Sequence, residues 1–242
     1  TEATAGEAGH SATHAWEDSP LASGFANYAA QADRQLIARM DFSGVARPVL
    51  RFKHRYAFES GGDWGVVSYS LDNVRWTQIV TFTGIEGVWR TEEFDIGVLS
   101  RKPQAFLRFQ LTSNGPGVER DGWHLDDVEI FDNTQTASFS FFDDVEDEIQ
   151  ARQNWIPGRW GTQTTAGHSG NQAWSVRQTN GWEYLTLAGT VDLAQVQAAN
   201  PFLSFWHRTL DGGMSWRVEA SSDGGATWEE LQRTSLNNAE WT

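Results

Sequence analysis

The sequence predicts an all-β chain built as two copies of one sandwich or jelly-roll unit. Three observations predict it. Stretches of strict apolar/polar alternation are separated by turn residues every 8 to 12 positions. Gly, Thr, Ser, Val and Trp are abundant, while helix formers in amphipathic register are scarce. Most informative, the chain repeats itself about 152 residues apart. Ala8-Gly9-His10-Ser11 returns as Ala166-Gly167-His168-Ser169, leading to Ala15-Trp16 and Ala173-Trp174. Pro48 to Arg55 returns as Pro201 to Arg208, and Trp64, Trp76 and Trp89 return as Trp216, Trp228 and Trp241. A period that long is too large for a solenoid unit and suits a whole domain.

The elements follow in order. Gln31 to Phe42 alternates through Leu36, Ala38, Met40 and Phe42 and reads as a strand. Pro48 to Glu59 sets Leu50, Phe52, His54, Tyr56 and Phe58 against Arg51, Lys53 and Arg55, the pattern of a half-buried strand. Gly61-Gly62-Asp63 turns the chain into a returning strand, Trp64 to Leu71. Asp72-Asn73 signals a tight hairpin, and Asp223-Gly224-Gly225 is its stronger twin. Trp76 to Phe82, Trp89 to Ile96, Ala105 to Thr112 and Gly122 to Phe131 complete the unit as strands. Asp132 to Thr136 reads as a short linker, which divides the chain into a first unit, 1–135, and a second, 136–242.

The two copies are out of phase with the chain ends. Phe139 to Arg159 has no counterpart ahead of the first copy, and nothing after Trp241 matches Arg90 to Ile130. The first unit is thus expected to lack its opening strand and the second its closing strands. An open sheet edge exposes backbone donors and acceptors, so strand addition or strand-mediated self-association is expected, with Phe139 to Glu146 one candidate to complete the first unit.

Composition excludes several classes. The formal net charge is −14, with no basic stripe to neutralise phosphates, so no nucleic-acid partner is expected. No apolar run approaches a membrane span, so no membrane insertion is expected. The absence of cysteine excludes disulfides and thiolate metal sites. There is no HExxH, no GxSxG and no cysteine nucleophile, and the chain reads as non-catalytic.

Of the six histidines, His10/His168 and His54/His207 are repeat equivalents and read as scaffold. His54, on the inward face, is expected to donate to a backbone carbonyl. Adjacent strand residues point to opposite faces, so one carboxylate of Asp126-Asp127 is expected outside and the other turned inward, paired or on a cation. Hard oxygen ligands alone would favour calcium. Asp143, Asp144 and Glu146 form a second acidic candidate, and Glu59 with Asp63 flanks the Gly61-Gly62 turn as a third; for each, a solvated or turn-capping role is the competing reading. Trp64, Trp76 and Trp89 recur at fixed spacing and read as core. Trp155, Trp160 and Trp182 have no partner in the first copy and are the candidates for an exposed ligand-binding surface that stacks on sugar rings.

Leu50-x-Phe52-x-His54-x-Tyr56-x-x-Glu59, Asp63-Trp64-Gly65-Val66-Val67-x-Tyr69-Ser70-x-Asp72 and Asp121-Gly122-Trp123-x-x-Asp126-Asp127-Val128 together resemble the MAM-like jelly-roll module. That module accompanies secreted bacterial peptidases of the immune inhibitor A type and related surface proteins. Phe142-Asp143-Asp144-Val145-Glu146, with Trp155 and Gly158, resembles the opening strand of such modules. The resemblance implies two tandem jelly-roll β-sandwich units with a non-catalytic role in adhesion, substrate targeting or stabilisation. The parent would be a secreted or cell-surface protein such as an extracellular metallopeptidase, and the partner an extracellular protein or glycan. It also implies a structural calcium between opening and closing strands, with ligands drawn from Asp143, Asp144 or Glu146 and from Asp126 or Asp127. The alternative reading is a calcium-dependent carbohydrate-binding module.

Overall fold

A computed structural model describes residues 10–11, 15–18, 27–115, 120–134, 136–137, 141–164, 167–177, 182–194, 201, 203–210, 214–234 and 239–242. The chain divides into two compact units, Thr1–Phe94 with Leu99–Phe131, and Asp95–Val98 with Asp132–Thr242.

In the first unit the alternating segments form the strands their pattern dictates. These are β1 (Trp16–Glu17), β2 (Asp33–Met40), β3 (Pro48–Ala57), β4 (Trp64–Ser70), β5 (Thr77–Phe82), β6 (Ile85–Asp95), β7 (Ala105–Thr112) and β8 (Gly122–Asp132). They build two four-stranded antiparallel sheets, ordered β1-β8-β3-β6 and β2-β7-β4-β5, packed as a β-sandwich. The alternation is cleanest in β7, where Ala105, Leu107, Phe109 and Leu111 are buried and the residues between them face outward. The core is aromatic. Phe52 of β3 meets Phe82 of β5 and Phe109 of β7 edge to face at centroid distances of 6.4 and 5.1 Å, and stacks on Phe94 of β6 at 6.0 Å. Gly65 of β4 is needed where the sheets close, because a Cβ there would lie 2.9 Å from the Phe58 ring and 3.0 Å from that of Trp123.

Three details differ from expectation. β6 begins at Ile85, directly after Gly84 (φ 79°), so the Gly84-to-Gly87 segment is a short bend followed by strand. Trp76 and Trp89 are half-buried outside the core. The Arg108 guanidinium covers Trp76 at 4.1 Å and that of Arg55 covers Trp89 at 5.7 Å, so fixed spacing here marks cation–π clamps on the outer faces. Finally, the edge beside β8 is occupied by the two-residue β1, paired Trp16 to Leu125 and Glu17 to His124.

The second unit holds β9 (Thr136–Ala137), α1 (Glu148–Asn154), β10 (Trp155–Ile156), β11 (Gly161–Thr164), β12 (Gln172–Ser175), β13 (Thr186–Leu187), β14 (Thr190–Val191), β15 (Trp216–Ala220) and β16 (Glu229–Thr234). Among the described residues these form only two-stranded sheets, β10-β13, β11-β12, β9-β14 and β15-β16. The segment read as linker enters a strand at Thr136, which pairs in parallel with Thr190. Residues 141–147 carry no strand, which corrects the expected opening strand; Phe139 and Ser140 lie outside the described residues. The acidic run turns instead, because its carboxylates bond the backbone just ahead of them. Asp143 accepts from Val145 N at 2.8 Å, Asp144 accepts from Glu146 N at 3.2 Å, and Asp147 caps α1 through Ile149 N and Gln150 N.

Several repeated residues take repeated geometry. In the β4–β5 hairpin, Ser70 Oγ donates to Asp72 Oδ1, which also accepts from Val74 N and Arg75 N. In the β15–β16 hairpin, Ser221 Oγ donates to Asp223 Oδ1, which also accepts from Thr227 N. His10 meets Trp89 edge-on at 6.1 Å, as His168 meets Trp241 at 5.9 Å. Among the described residues no helix is long and apolar enough to cross a membrane.

Candidate functional site

Asp126 and Asp127 do not split between the two faces of β8. Asp127 adopts φ 47°, a left-handed conformation that an Asp tolerates, and this breaks the strand alternation. Both carboxylates then converge outside the sandwich on one short segment. Asp126 accepts from Ser11 N at 2.9 Å, and Asp127 accepts from Ser11 Oγ at 2.5 Å and from His10 Nδ1 at 2.8 Å. The Ser11 and His10 hydrogen bonds hold the Asp127 carboxyl below the usual carboxylate range. The pair anchors the His10-Ser11 segment, and the inward carboxylate expected from the sequence does not exist.

The other acidic candidates are also committed to protein donors. Besides its turn, Asp143 accepts from Asn154 Nδ2 at 3.0 Å and Trp155 Nε1 at 2.9 Å. Glu146 accepts from Gln172 N at 2.8 Å and lies where a Cβ on Gly170 would sit, 2.3 Å from its Oε1. Asp63 is buried, taking the Tyr28 hydroxyl and, at 2.9 Å, Asn114 N. Burial and then the Asp63 hydrogen bond push the Tyr28 hydroxyl far up, so it stays a neutral donor. Glu59 keeps one buried carboxylate oxygen, Oε2, without a hydrogen-bond partner.

Among the described residues no three His, Asp or Glu side chains gather as a metal site. A calcium ion takes roughly six to eight oxygens. Asp126 and Asp127 belong to the first unit, and Asp143, Asp144 and Glu146 to the second.

His54 and His124 are tied into the scaffold. His54 is buried, and its Nδ1 accepts from Trp123 Nε1 at 3.2 Å rather than donating to a backbone carbonyl. That fixes its proton on Nε2, which faces Glu92 Oε1 at 3.4 Å. His124, also buried, donates from Nε2 to Asp121 at 3.0 Å and presents Nδ1 to Glu17 at 3.8 Å. The His124 hydrogen bond is the main cause of a depressed Asp121 carboxyl.

The three tryptophans without repeat partners separate clearly. The Trp155 indole N–H is held by Asp143 and that of Trp160 by the Glu183 carbonyl at 3.3 Å, so both rings are half-buried supports. Trp182 is 43% exposed, and Tyr184, one residue beyond Glu183, is 51% exposed. Arg217 lies over the Trp182 ring at 4.4 Å and donates to the Tyr184 hydroxyl at 3.3 Å. Arg233, opposite Arg217 in the β15–β16 ladder, reaches the same ring at 5.7 Å. Glu219 and Glu230 pair with these arginines at 3.2 and 2.5 Å. The result is a surface of two open aromatic rings with guanidinium donors beside them, braced by Trp160 through Glu183. Sequence reasoning found Trp182 but missed Tyr184, Arg217 and Arg233. The spacing of Trp182 and Tyr184 was a usable signal, whereas the arginines reach the ring only through the hairpin.

No protein-family model matches this chain, and no curated protein matches it. Among solved structures it is similar to one titled "Family 16 Carbohydrate Binding Module-2", at 12% identity and a TM-score of 0.32, over 54% of this chain and 84% of that one. A likeness that slight says nothing of what this chain binds.

Proposed function

We propose that this chain is a non-catalytic binding region whose second unit holds a carbohydrate against Trp182 and Tyr184. The observation that carries the reading is that Trp182, alone among the three sequence-nominated tryptophans, is open to solvent, beside an equally open Tyr184 and two arginines. Aromatic faces pack on the C–H faces of pyranose rings, and guanidinium groups donate to ring hydroxyls or carboxylates. The scaffold roles of His54 and His124 support a non-catalytic part. The resemblance of Asp121 to Val128 to a MAM-like closing strand supports a secreted or cell-surface parent, in which this region serves a catalytic domain such as an extracellular metallopeptidase by targeting or adhesion.

The test is affinity electrophoresis and a glycan array with the intact chain, Trp182→Ala and Tyr184→Ala. The expected result is retardation by at least one polysaccharide, weakened roughly tenfold or more by Trp182→Ala, in line with the ~1.5 kcal/mol of an aromatic contact. Equal retardation of wild type and both variants overturns the reading.

A further inference from the structure

The outward face of the sheet β2-β7-β4-β5 holds a guanidinium that has no counter-ion among the described residues. Leu107, Phe109 and Leu111 of β7 point into the core, so Arg108 and Gln110 stand on the other side. The ladder sets Ile37 of β2 opposite Arg108, Gln35 opposite Gln110 and Asp33 opposite Thr112, all on that outward face. On the other flank, Ser68 of β4 lies opposite Arg108. Arg39, Arg108 and Asp33 are the charged strand residues of this face, which is therefore net positive on a chain of formal net charge −14.

Arg108 is held in place without being neutralised. Its Nε donates to Ser68 Oγ at 3.2 Å, and the guanidinium lies over the Trp76 ring at 4.1 Å. Among the described residues these contacts leave Nη1 and Nη2 without a hydrogen bond and the residue without an ion pair. Burial holds the guanidinium below its usual range, and the field of Asp33 only partly opposes this. A half-buried cation in that state is met most directly by an incoming anion, and a guanidinium already fixed in place takes a carboxylate through two parallel N–H donors. Asp33 is engaged elsewhere, because Gln35 Nε2 donates to it at 3.0 Å and Gln110 Nε2 at 2.7 Å. Both amides spend their N–H groups there and, among the described residues, keep their Oε1 atoms as open acceptors. Ile37, 43% exposed, adds an apolar shelf beside them.

A ligand that meets all three features carries a carboxylate, hydroxyl donors close to it, and an apolar C–H face. We infer that the outward face of β2-β7-β4-β5 is a binding site for a uronate-bearing glycan. Arg108 takes the carboxylate, the amide oxygens of Gln35 and Gln110 accept from the ring hydroxyls, and the C–H face of the sugar packs on Ile37. Neighbouring strands lie about 4.8 Å apart, so groups on β2 and β7 both reach one pyranose ring. The site shares no residue with the Trp182 surface, which belongs to the second unit, and it stands or falls separately from that surface.

The test titrates the intact chain with an oligogalacturonate, its methyl ester, the corresponding neutral oligogalactoside and a short polyglutamate peptide. Calorimetry gives the affinity, and NMR follows the Arg108 Nε–H signal and the Trp76 and Trp182 indole N–H signals. The expected result is oligogalacturonate binding that shifts the Arg108 and Trp76 signals and weakens with added salt. Esterification and Arg108→Gln should each weaken it roughly tenfold or more, the range of hydrogen bonds to a charged group. Gln110→Ala removes an acceptor and leaves the cation, and should weaken it roughly fivefold; with the ester, it decides the matter should Arg108→Gln fail to fold. The proposal is overturned if the oligogalacturonate does not bind, if the ester, the neutral sugar or polyglutamate binds as well, or if a folded Arg108→Gln binds like wild type. Shifts confined to the Trp182 signal overturn it too, and leave the carbohydrate surface of the second unit standing.

Discussion

The indole N–H of Trp123 donates to Nδ1 of His54 at 3.2 Å, both side chains lying inside the first unit among Phe52, Phe58, Phe82 and Phe109. This bond fixes the imidazole tautomer and fastens β8 to β3. Trp123→Phe keeps much of the ring but leaves a buried acceptor unmade, so a loss of about 2 kcal/mol is expected. Urea unfolding measures it, and a variant as stable as wild type would show that the bond contributes nothing net.

The left-handed Asp127 separates backbone from side-chain effects. Asp127→Gly and Asp127→Val both remove the carboxylate that takes His10 Nδ1 and the Ser11 hydroxyl, and both leave the Ser11 amide on Asp126. Only valine is opposed by φ 47°, so Asp127→Val should be less stable than Asp127→Gly by about 1–2 kcal/mol. Thermal unfolding of the two variants side by side checks this difference.

Gly170 and Glu146 are coupled by contact. A methyl group at Gly170 would meet the Glu146 carboxylate at 2.3 Å and disturb the bond to Gln172 N. Glu146 is exposed and its carboxylate ends a flexible side chain, so Gly170→Ala should cost about 1 kcal/mol, the range of the displaced hydrogen bond to Gln172 N. In a Glu146→Ala background the same change should cost much less, and a double-mutant cycle with no coupling would rule the contact out.

Asp223 provides a pH signature for the β15–β16 hairpin. Hydrogen bonds from Thr227, its hydroxyl first, and then from Ser221 lower its carboxyl to about 2. A folded value below the unfolded one means that the stabilisation is complete above the unfolded value of 3.8 and is lost as pH falls toward 2. An NMR titration of the Asp223 carboxyl carbon should show this low midpoint. Thr227→Val, which removes the leading hydroxyl bond, should move the midpoint upward; an unchanged midpoint would refute the assignment.

Much of the first unit was legible because its strands are half-buried. A strand with one face in the core must alternate, so Leu50-Phe52-His54 and Ala105-Leu107-Phe109-Leu111 announced both their conformation and their inward faces. The hairpins were legible at Asp72-Asn73 and Asp223-Gly224-Gly225, where local side-chain-to-backbone bonds decide the turn. Where one residue broke the period, the reading failed. The positive φ of Asp127 placed two carboxylates on one side, and the self-capping of Asp143, Asp144 and Asp147 made turns and a helix start from a segment read as strand.

By itself, the sequence determined the all-β character of this protein, the strand boundaries of its first unit to within a few residues, and a repeat that pairs Phe52 with Phe205 and His54 with His207. These follow from local propensity and period, which need no partner. The tertiary structure alone decided which repeated residues are covered and which are open. Burial depends on the strand that arrives alongside, as Trp123 of β8 satisfies His54 of β3. It likewise decided that Trp155 and Trp160 spend their indole donors on the scaffold while Trp182 faces solvent between two arginines, because those neighbours come from distant segments that spacing cannot bring together.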